Sequence, residues 1–281
     1  MLINLKKVTR IGLAIATVFA TSIVGGNADS VQAAQTVYKA KSYDYITTND
    51  FNVIRTHASN IKAVKINQAL PYTDYYGING GLYNFATKST PASASNIFWE
   101  KSKDGVPNTL NDHNTGYKYR GTLVTYKDPV KGTVAVVKSY TDISAVKSDL
   151  GQNLDYRNML GGGNLYVKQD EATFRKGFKA EGWDSLNHQP DATGANRTGI
   201  GVKYENGQSY LYLFTSKKHT SLINLRNTMK ALGCKEGIWL DGGHSTQMQV
   251  KTSPTNTLKF AEPYEGQLRR IHHAVTLINK N

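Results

Sequence analysis

The sequence is poor in cysteine and has no long hydrophobic run. Cys234 is the only cysteine among 281 residues, so an internal disulfide is excluded. It follows a predicted helix, and we expect it to be a small buried hydrophobic residue. The uncharged apolar run at residues 11–24 is shorter than the roughly 20 residues that a membrane-spanning helix needs.

This apolar run is instead typical of a secretory signal peptide. Lys6, Lys7 and Arg10 precede it, and short side chains around Ala33 suit a signal peptidase. We therefore predict a signal peptide at residues 1–33 and a mature domain at residues 34–281. Once the signal is removed, we expect no stable membrane anchor.

Acidic residues are also scarce, because 21 Asp and Glu stand against 34 Lys and Arg. Removal of the predicted signal takes away three basic residues and one acidic residue and leaves a formal net charge of +11. A protein this basic outside the cell is expected to bind polyanions such as the phosphate-bearing wall polymers of a Gram-positive surface. A solvated basic surface without a specific partner is the alternative. The lysines are scattered and no nucleic-acid motif is present, so we predict no nucleic-acid partner.

Sequence motifs that bind nucleotides or metal ions are also missing. The three glycines at residues 161–163 lack the spacing of a dinucleotide fingerprint or a P-loop, so close backbone packing near a cleft is the simpler explanation. No cofactor is predicted. No compact set of metal ligands occurs, and a requirement for a divalent cation stays open.

Short strand patterns occupy most of the chain. Residues 61–66 alternate apolar and polar side chains, and residues 121–126 and 133–137 predict a hairpin or meander. Residues 86–120 show little periodicity and predict a long surface excursion that could cover a site. Leu222, Leu225, Met229 and Leu232 recur at helical spacing, with Thr220 or Ser221 as the N-cap and Gly233 at the end.

The stretch 238–246 is the strongest candidate for chemistry. A short apolar run ends at Asp241, and Gly242 and Gly243 then allow the backbone to turn or to approach a ligand closely. An Asp-Gly turn between two hairpin strands is the alternative. The preceding strand and helix favour a functional aspartate, since ligands in such layouts lie beyond the carboxyl ends of strands.

Two further segments could bring polar groups to the same place. Asn79, Gly80 and Gly81 interrupt an aromatic strand, either as a hairpin turn or as backbone that lines a cleft. Arg197 lies between small residues, with space to bind a phosphate through its planar fork; an ion pair at a strand edge is the alternative. On spacing alone, residues 269, 270, 272 and 273 are treated as surface residues, and the alternative is that one of them faces the cleft.

Taken together, the blocks Asn79-Gly80-Gly81, Arg197-Thr198-Gly199-Ile200-Gly201 and 240–246 resemble, in order, three signature blocks of the phosphodiester glycosidase family. The resemblance implies a single α+β domain with mixed β-sheets and packed helices. It also implies a glycosidase acting on glycosyl-1-phosphodiesters. His244 stands where the family usually has a third glycine, and the site has therefore either tolerated a side chain or gained an imidazole.

The resemblance implies roles for individual residues. Asp241 would be the general base or nucleophile, Arg197 the phosphate clamp and His244 a candidate proton shuttle. Substrate hydroxyls or phosphate oxygens would be bound by Asn79, Thr198 and Ser245, and by main-chain amides around Gly80, Gly81, Gly242 and Gly243.

Three functions remain to be separated. The first is a secreted hydrolase that splits a sugar from a phosphodiester in a wall or extracellular glycopolymer. The second is a non-catalytic binder of anionic wall polysaccharide, and the third is a metal-dependent phosphodiesterase that cuts the P–O bond.

Overall fold

The computed structural model describes residues 34–87, 90–101, 104–183 and 189–281. The predicted signal peptide lies outside these residues. In the described part the chain is mostly β-strand, with three α-helices. No helix among the described residues is both long enough and apolar enough to cross a bilayer.

The largest sheet has seven strands in the order β1-β2-β3-β15-β14-β16-β13. The bounds of these strands, in chain order, are β1 Gln35–Lys39, β2 Tyr43–Thr47, β3 Phe51–His57, β13 Gly163–Asn164, β14 Thr198–Glu205, β15 Gln208–Ser216 and β16 Glu236–Trp239. Because β15 and β16 both pair antiparallel with β14, they run in the same direction. Asp241 therefore follows the carboxyl end of β16.

Two five-stranded sheets pack beside it. The first has the order β11-β10-β12-β8-β9 and comprises β8 Phe98–Lys101, β9 Pro107–Asn111, β10 Arg120–Asp128, β11 Gly132–Tyr140 and β12 Asp155–Gly161. The second has the order β18-β17-β5-β21-β4 and comprises β4 Ile61–Gln68, β5 Gly77–Asn79, β17 Gln247–Lys251, β18 Thr257–Ala261 and β21 Ile271–Leu277. Two small hairpins complete the described strands: β6 Tyr83–Thr87 with β7 Thr90–Ala94, and β19 Pro263–Tyr264 with β20 Gln267–Leu268. A hydrophobic core containing Ile78, Leu123 and Leu213 joins side chains from all three large sheets.

Each of the three α-helices begins at a polar N-cap side chain. The helices are α1 Ile143–Leu150, α2 Glu171–Ala180 and α3 Leu222–Ala231, capped by Asp142, Asp170 and Ser221. A predicted helix is confirmed in α3, and Gly233 follows it with φ +83°. Met229 of α3 packs so closely on the sheet that a Cβ added to Gly199 would lie 2.9 Å from its methyl carbon.

Several other expectations are settled by the fold. Cys234 is buried, as predicted. The β10–β11 hairpin and the β4 strand are confirmed. The region 86–120 is not an irregular excursion, because its described residues include β7, β8 and β9 and bury Phe98 and Trp99.

The expectation of mixed sheets is wrong, since every described strand pairing is antiparallel. Both hairpin alternatives are also wrong. β16 and β17, on either side of Asp241, belong to different sheets, and β5 pairs with β17 and β21 rather than with β6. The two glycine segments therefore connect sheets instead of forming exposed hairpin tips.

Candidate active site

The three signature blocks meet at the side chain of Asn79. This amide lies at the end of β5 and is 1 % exposed. Its Nδ2 donates to the main-chain oxygen of Asp241 at 2.7 Å, and its Oδ1 accepts from Thr198 Oγ1 at 2.9 Å. Segments 119 and 162 residues away in sequence are thus joined through one side chain.

The remaining donor and acceptor positions of the Asn79 amide also form hydrogen bonds within the protein. Nδ2 donates a second hydrogen bond to Gly80 O at 3.2 Å, and Oδ1 accepts a second from Gln247 N at 3.0 Å. An asparagine amide has two donor hydrogens and two acceptor lone pairs, so none is left for a sugar. The structure assigns Asn79 a positioning role in place of the predicted substrate-binding role. Thr198 shares this role, since its hydroxyl is buried against Asn79 and Thr246.

The glycines of the blocks allow backbone segments to approach each other closely. A Cβ on Gly80 would lie 2.1 Å from His273 Cδ2, and one on Gly81 would lie 2.5 Å from Gly161 O. A Cβ on Gly242 would lie 2.7 Å from Asn196 O. Side chains at these positions would clash, so the glycines are required by packing.

Two of these glycines have main-chain amides that are already hydrogen bonded. Gly80 N donates to His273 O at 2.9 Å, and Gly243 N donates to Asn196 O at 2.8 Å. The Gly242 amide lowers the pKa of the Asp241 carboxyl. The predicted anion-binding role of Gly80 and Gly243 is not supported, because a bonded amide cannot also bind a substrate oxygen, and that of Gly81 and Gly242 stays a prediction.

The Asp241 carboxyl is the chemically distinctive group of the site. Burial raises its pKa to about 6, although a hydrogen bond from Ser245, the charge of Arg269 and the Gly242 amide all act to lower it. Residue 241 as a whole is only partly buried, so solvent or a ligand can approach it. At neutral pH it is mainly ionised, yet it binds a proton more tightly than an ordinary aspartate does. These are the properties of an acid or base catalyst.

A chain of hydroxyl groups leads away from Asp241. Ser245 is fully buried and lies 3.2 Å from the Tyr83 hydroxyl, which donates to Arg270 O at 2.9 Å. When Asp241 is ionised, Ser245 can donate to it, and this contact lowers the pKa of the carboxyl. Burial is therefore what keeps the pKa of Asp241 raised.

His272 and His273 are buried, contrary to the expectation that they lie on the surface. Each is 2 % exposed, and their Nδ1 atoms are 3.0 Å apart. Burial lowers the pKa of His272 to about 4 and that of His273 well below its usual value, so both rings are neutral at pH 7. His273 packs on Phe98 and beneath Gly80, where it supports the turn after Asn79. Consecutive residues of a strand point to opposite faces, so a strand with one buried face would bury only one of the two histidines. Both are buried because β21 is covered on both faces.

Arg197 lies at the edge of this network and its side chain leaves in another direction. Its Nε donates to Thr220 O at 2.9 Å, and its Nη2 donates to Ala192 O at 2.6 Å. The neighbouring Thr198 side chain meets Asn79, as expected for consecutive residues whose side chains point to opposite sides of an extended chain. Burial lowers the pKa of Arg197. The alternative of an ion pair is not what these contacts show, because both acceptors are carbonyl oxygens.

Arg269 is a second arginine near the site, although its spacing in the sequence favoured a surface residue. Its charge acts on Asp241, and its guanidinium carbon lies 4.4 Å from the centre of the Tyr264 ring and 5.2 Å from that of Phe85. No sequence signal separates it from Arg270, whose Nε donates to Asn67 O. The two arginines are consecutive and lie between β20 and β21. The fold of this short segment therefore decides which of them lies near the Asp241 carboxylate.

His244 lies in the turn after Asp241. The left-handed conformation of this turn falls on Gly243, with φ +58°, so the backbone accepts a side chain at residue 244. The His244 ring lies 4.9 Å from the Tyr264 ring, and its Nδ1 is 3.9 Å from Glu262 Oε2. The same carboxylate accepts from Asn196 Nδ2 at 2.7 Å. The site has therefore gained an imidazole at its rim.

Among residues 34–87, 90–101, 104–183 and 189–281, no group of three or more His, Cys, Asp or Glu side chains is placed to hold a metal ion. The site is thus built, within the described residues, from one reactive carboxyl, two hydroxyls, an arginine and a histidine. A partly buried carboxyl of raised pKa beside an arginine is a candidate site for acid–base chemistry.

The comparison with known families identifies the class more closely. A family model described as phosphodiester glycosidase matches residues 72–278, and the chain belongs to this family. Membership supports glycosidase activity on a phosphodiester. No curated protein sequence matches the chain.

Solved structures with a similar fold include the zebrafish N-acetylglucosamine-1-phosphodiester alpha-N-acetylglucosaminidase catalytic domain, auto-inhibited by its pro-peptide. The two share 14 % identity with a TM-score of 0.57, and the match covers 88 % of each chain. A hypothetical protein from Synechocystis shares 13 % identity with a TM-score of 0.50, over 88 % of this chain and 64 % of the other. At these identities the similarity shows the fold alone.

Proposed function

We propose that this protein is a secreted hydrolase that cleaves the glycosidic bond of a sugar-1-phosphodiester in a cell-wall or extracellular glycopolymer of a Gram-positive surface. The observation that supports it most is the Asp241 carboxyl, whose pKa is raised to about 6 where the three signature blocks meet. The formal net charge of +11 after removal of the predicted signal peptide supports a polyanionic substrate.

The chemistry suits this site. The leaving group of a sugar-1-phosphodiester is a phosphate monoester, which needs less help from a general acid than a sugar alcohol does. One carboxylate at the anomeric carbon and one cation near the phosphate then supply the main requirements. Asp241 either attacks the anomeric carbon or removes a proton from the attacking water. Ser245 and Gly242 hold the carboxylate in place by hydrogen bonds.

The test uses the mature protein and a glycopolymer or small substrate with a sugar joined through its anomeric carbon to a phosphodiester. Release of reducing sugar is measured for the wild type, for Asp241→Asn and for the control Asp74→Asn, an exposed aspartate on a loop. Loss of a catalytic base should slow Asp241→Asn by about 10²- to 10⁴-fold and leave the control unchanged. Full activity in Asp241→Asn would overturn the assignment.

Two outcomes would point to the other functions. Retention on isolated walls, with no sugar released during long incubation, would identify a non-catalytic binder of anionic polysaccharide. Product phosphate that carries oxygen from labelled water would identify a phosphodiesterase that cuts the P–O bond.

A further inference from the structure

Two buried nitrogen atoms near Asp241 have no hydrogen-bond partner among the described residues. They are Arg269 Nε and His244 Nδ1. Native proteins bond nearly all buried polar atoms, so a bound group would complete both sites. The nearest acceptor to His244 Nδ1 in an ion pair is Glu262 Oε2, at 3.9 Å, which is too long for a hydrogen bond. Both side chains lie against the same ring, that of Tyr264, at 4.4 Å for Arg269 and 4.9 Å for His244.

Tyr264 is held by a tight hairpin. Its strand β19 pairs with β20 through a two-residue turn, in which Glu265 has φ +50° and Gly266 has φ +76°. Positive φ at both central positions is the geometry that best matches the twist of hairpin strands. The ring therefore has a fixed position, and it fixes the two side chains that pack on it.

Arg269 also has an unusual charge environment. None of the ion pairs within the described residues involves it, although its charge lowers the pKa of Asp241. The guanidinium is thus close enough to act on the carboxyl but not in contact with it. A guanidinium that stacks on Tyr264 and Phe85 keeps its planar edge of N–H donors available for an anion.

We propose that Arg269 and His244, packed on Tyr264, bind the phosphate group of the substrate. This inference rests on the proposed function and deepens it, because it moves the phosphate site from Arg197 to the β19–β20 hairpin. In a sugar-1-phosphodiester the phosphate is joined to the anomeric carbon through one oxygen. A phosphate bound by Arg269, whose charge acts on Asp241, would therefore bring the anomeric carbon toward that carboxyl.

Arg197 is the competing cation, and its contacts argue against it. Two sides of its guanidinium are occupied by the carbonyl oxygens of Thr220 and Ala192. His244 adds a feature of this chain, since the family usually has glycine there. The glycine variant His244→Gly is therefore a natural test of the added imidazole.

The experiment measures two quantities in each variant. One is the inhibition constant of inorganic phosphate, and the other is kcat/KM on the phosphodiester and on an aryl glycoside of the same sugar, which has no phosphate. The variants are Arg269→Ala, Arg269→Lys, His244→Gly and Arg197→Ala. Arg157→Ala removes the same charge from an exposed position on β12 and serves as the control.

Arg269→Ala should raise the inhibition constant of phosphate and lower kcat/KM on the phosphodiester by about 10- to 100-fold, the loss expected for a charge-assisted pair of hydrogen bonds. Arg269→Lys should recover part of this loss, and His244→Gly should show a smaller loss. In all three variants kcat/KM on the aryl glycoside, which has no phosphate, should fall less than kcat/KM on the phosphodiester.

An unchanged inhibition constant in Arg269→Ala would overturn the inference, as would a loss confined to Arg197→Ala. Should the wild type release no sugar, the proposed function fails separately, and calorimetry with inorganic phosphate still decides the site. Phosphate binding that disappears in Arg269→Ala supports it, and absence of binding by the wild type refutes it.

Discussion

Replacing Asp241 by asparagine should stabilise the protein at neutral pH while it removes activity. Burial raises the pKa of this carboxyl from 3.8 to about 6. The folded protein therefore binds the Asp241 proton more tightly than the unfolded chain does. The stability that comes from this proton is fully present below pH 3.8 and is lost as the pH rises through 6.

The size of this loss follows from the shift. A shift of roughly two pKa units corresponds to about 3 kcal/mol, since one unit is about 1.4 kcal/mol. Asparagine has nearly the same shape and carries no charge, so it escapes this penalty and still accepts hydrogen bonds from Ser245 and the Gly242 amide. For a domain of this size, 3 kcal/mol corresponds to a rise in Tm of about 6–12 °C.

The assay is urea unfolding and thermal melting of the wild type, Asp241→Asn and Asp74→Asn at pH 4 and pH 7.5. The account predicts that Asp241→Asn is more stable than the wild type at pH 7.5 and that the difference shrinks at pH 4. It also predicts that Asp74→Asn follows the wild type at both. A variant that is equal to or less stable than the wild type at pH 7.5, or a difference independent of pH, would refute the reasoning.

Three further predictions concern the groups around this carboxyl. Ser245→Ala should move the acidic limb of the kcat/KM profile, expected near pH 6 in the wild type, to higher pH, because Asp241 loses the hydrogen bond that lowers its pKa; an unmoved limb would contradict this contact. Asn79→Ala should lower the unfolding free energy by about 3–4 kcal/mol, since it leaves buried partners unsatisfied; a loss below 1 kcal/mol in urea unfolding would show that the amide does not hold the site together. Gly80→Ala should destabilise by about 2 kcal/mol or more, because its Cβ would meet His273, whereas Gly194→Ala, with nothing within 4 Å, should not; equal effects in thermal melting would argue against close packing.

The sequence predicted local structure well at positions where a residue type strongly prefers one conformation or one place in a helix or strand. The cap of α3 at Ser221 and the glycine after it follow from local rules, and the structure confirms them. The β4 strand is confirmed too, although its burial does not alternate, because Ala63 and Val64 are both buried. The direction of strand pairing was not predictable in the same way. Whether neighbours run parallel depends on which distant strands meet, and β14 lies between β15 and β16 only in the folded chain.

The candidate site shows the same division. The position of Asp241 at the end of a buried strand could be predicted from an apolar run followed by two glycines. The contact partners of Asn79 and Arg197 could not be predicted. A residue's place in a motif does not show whether its amide or guanidinium binds the substrate or another part of the protein. Arg269 was treated as a surface residue for a related reason. Arg269 is held near the site because the β19–β20 hairpin packs Tyr264 against it. In the sequence, the residues around Tyr264 and Arg269 indicate only a surface turn.

The most direct test of the central claim is hydrolysis of a sugar-1-phosphodiester in labelled water by the wild type and by Asp241→Asn. The account predicts that the wild type places the label on the anomeric carbon of the released sugar, and that the variant forms little of this product. Label in the phosphate, or full release of labelled sugar by Asp241→Asn, would contradict it.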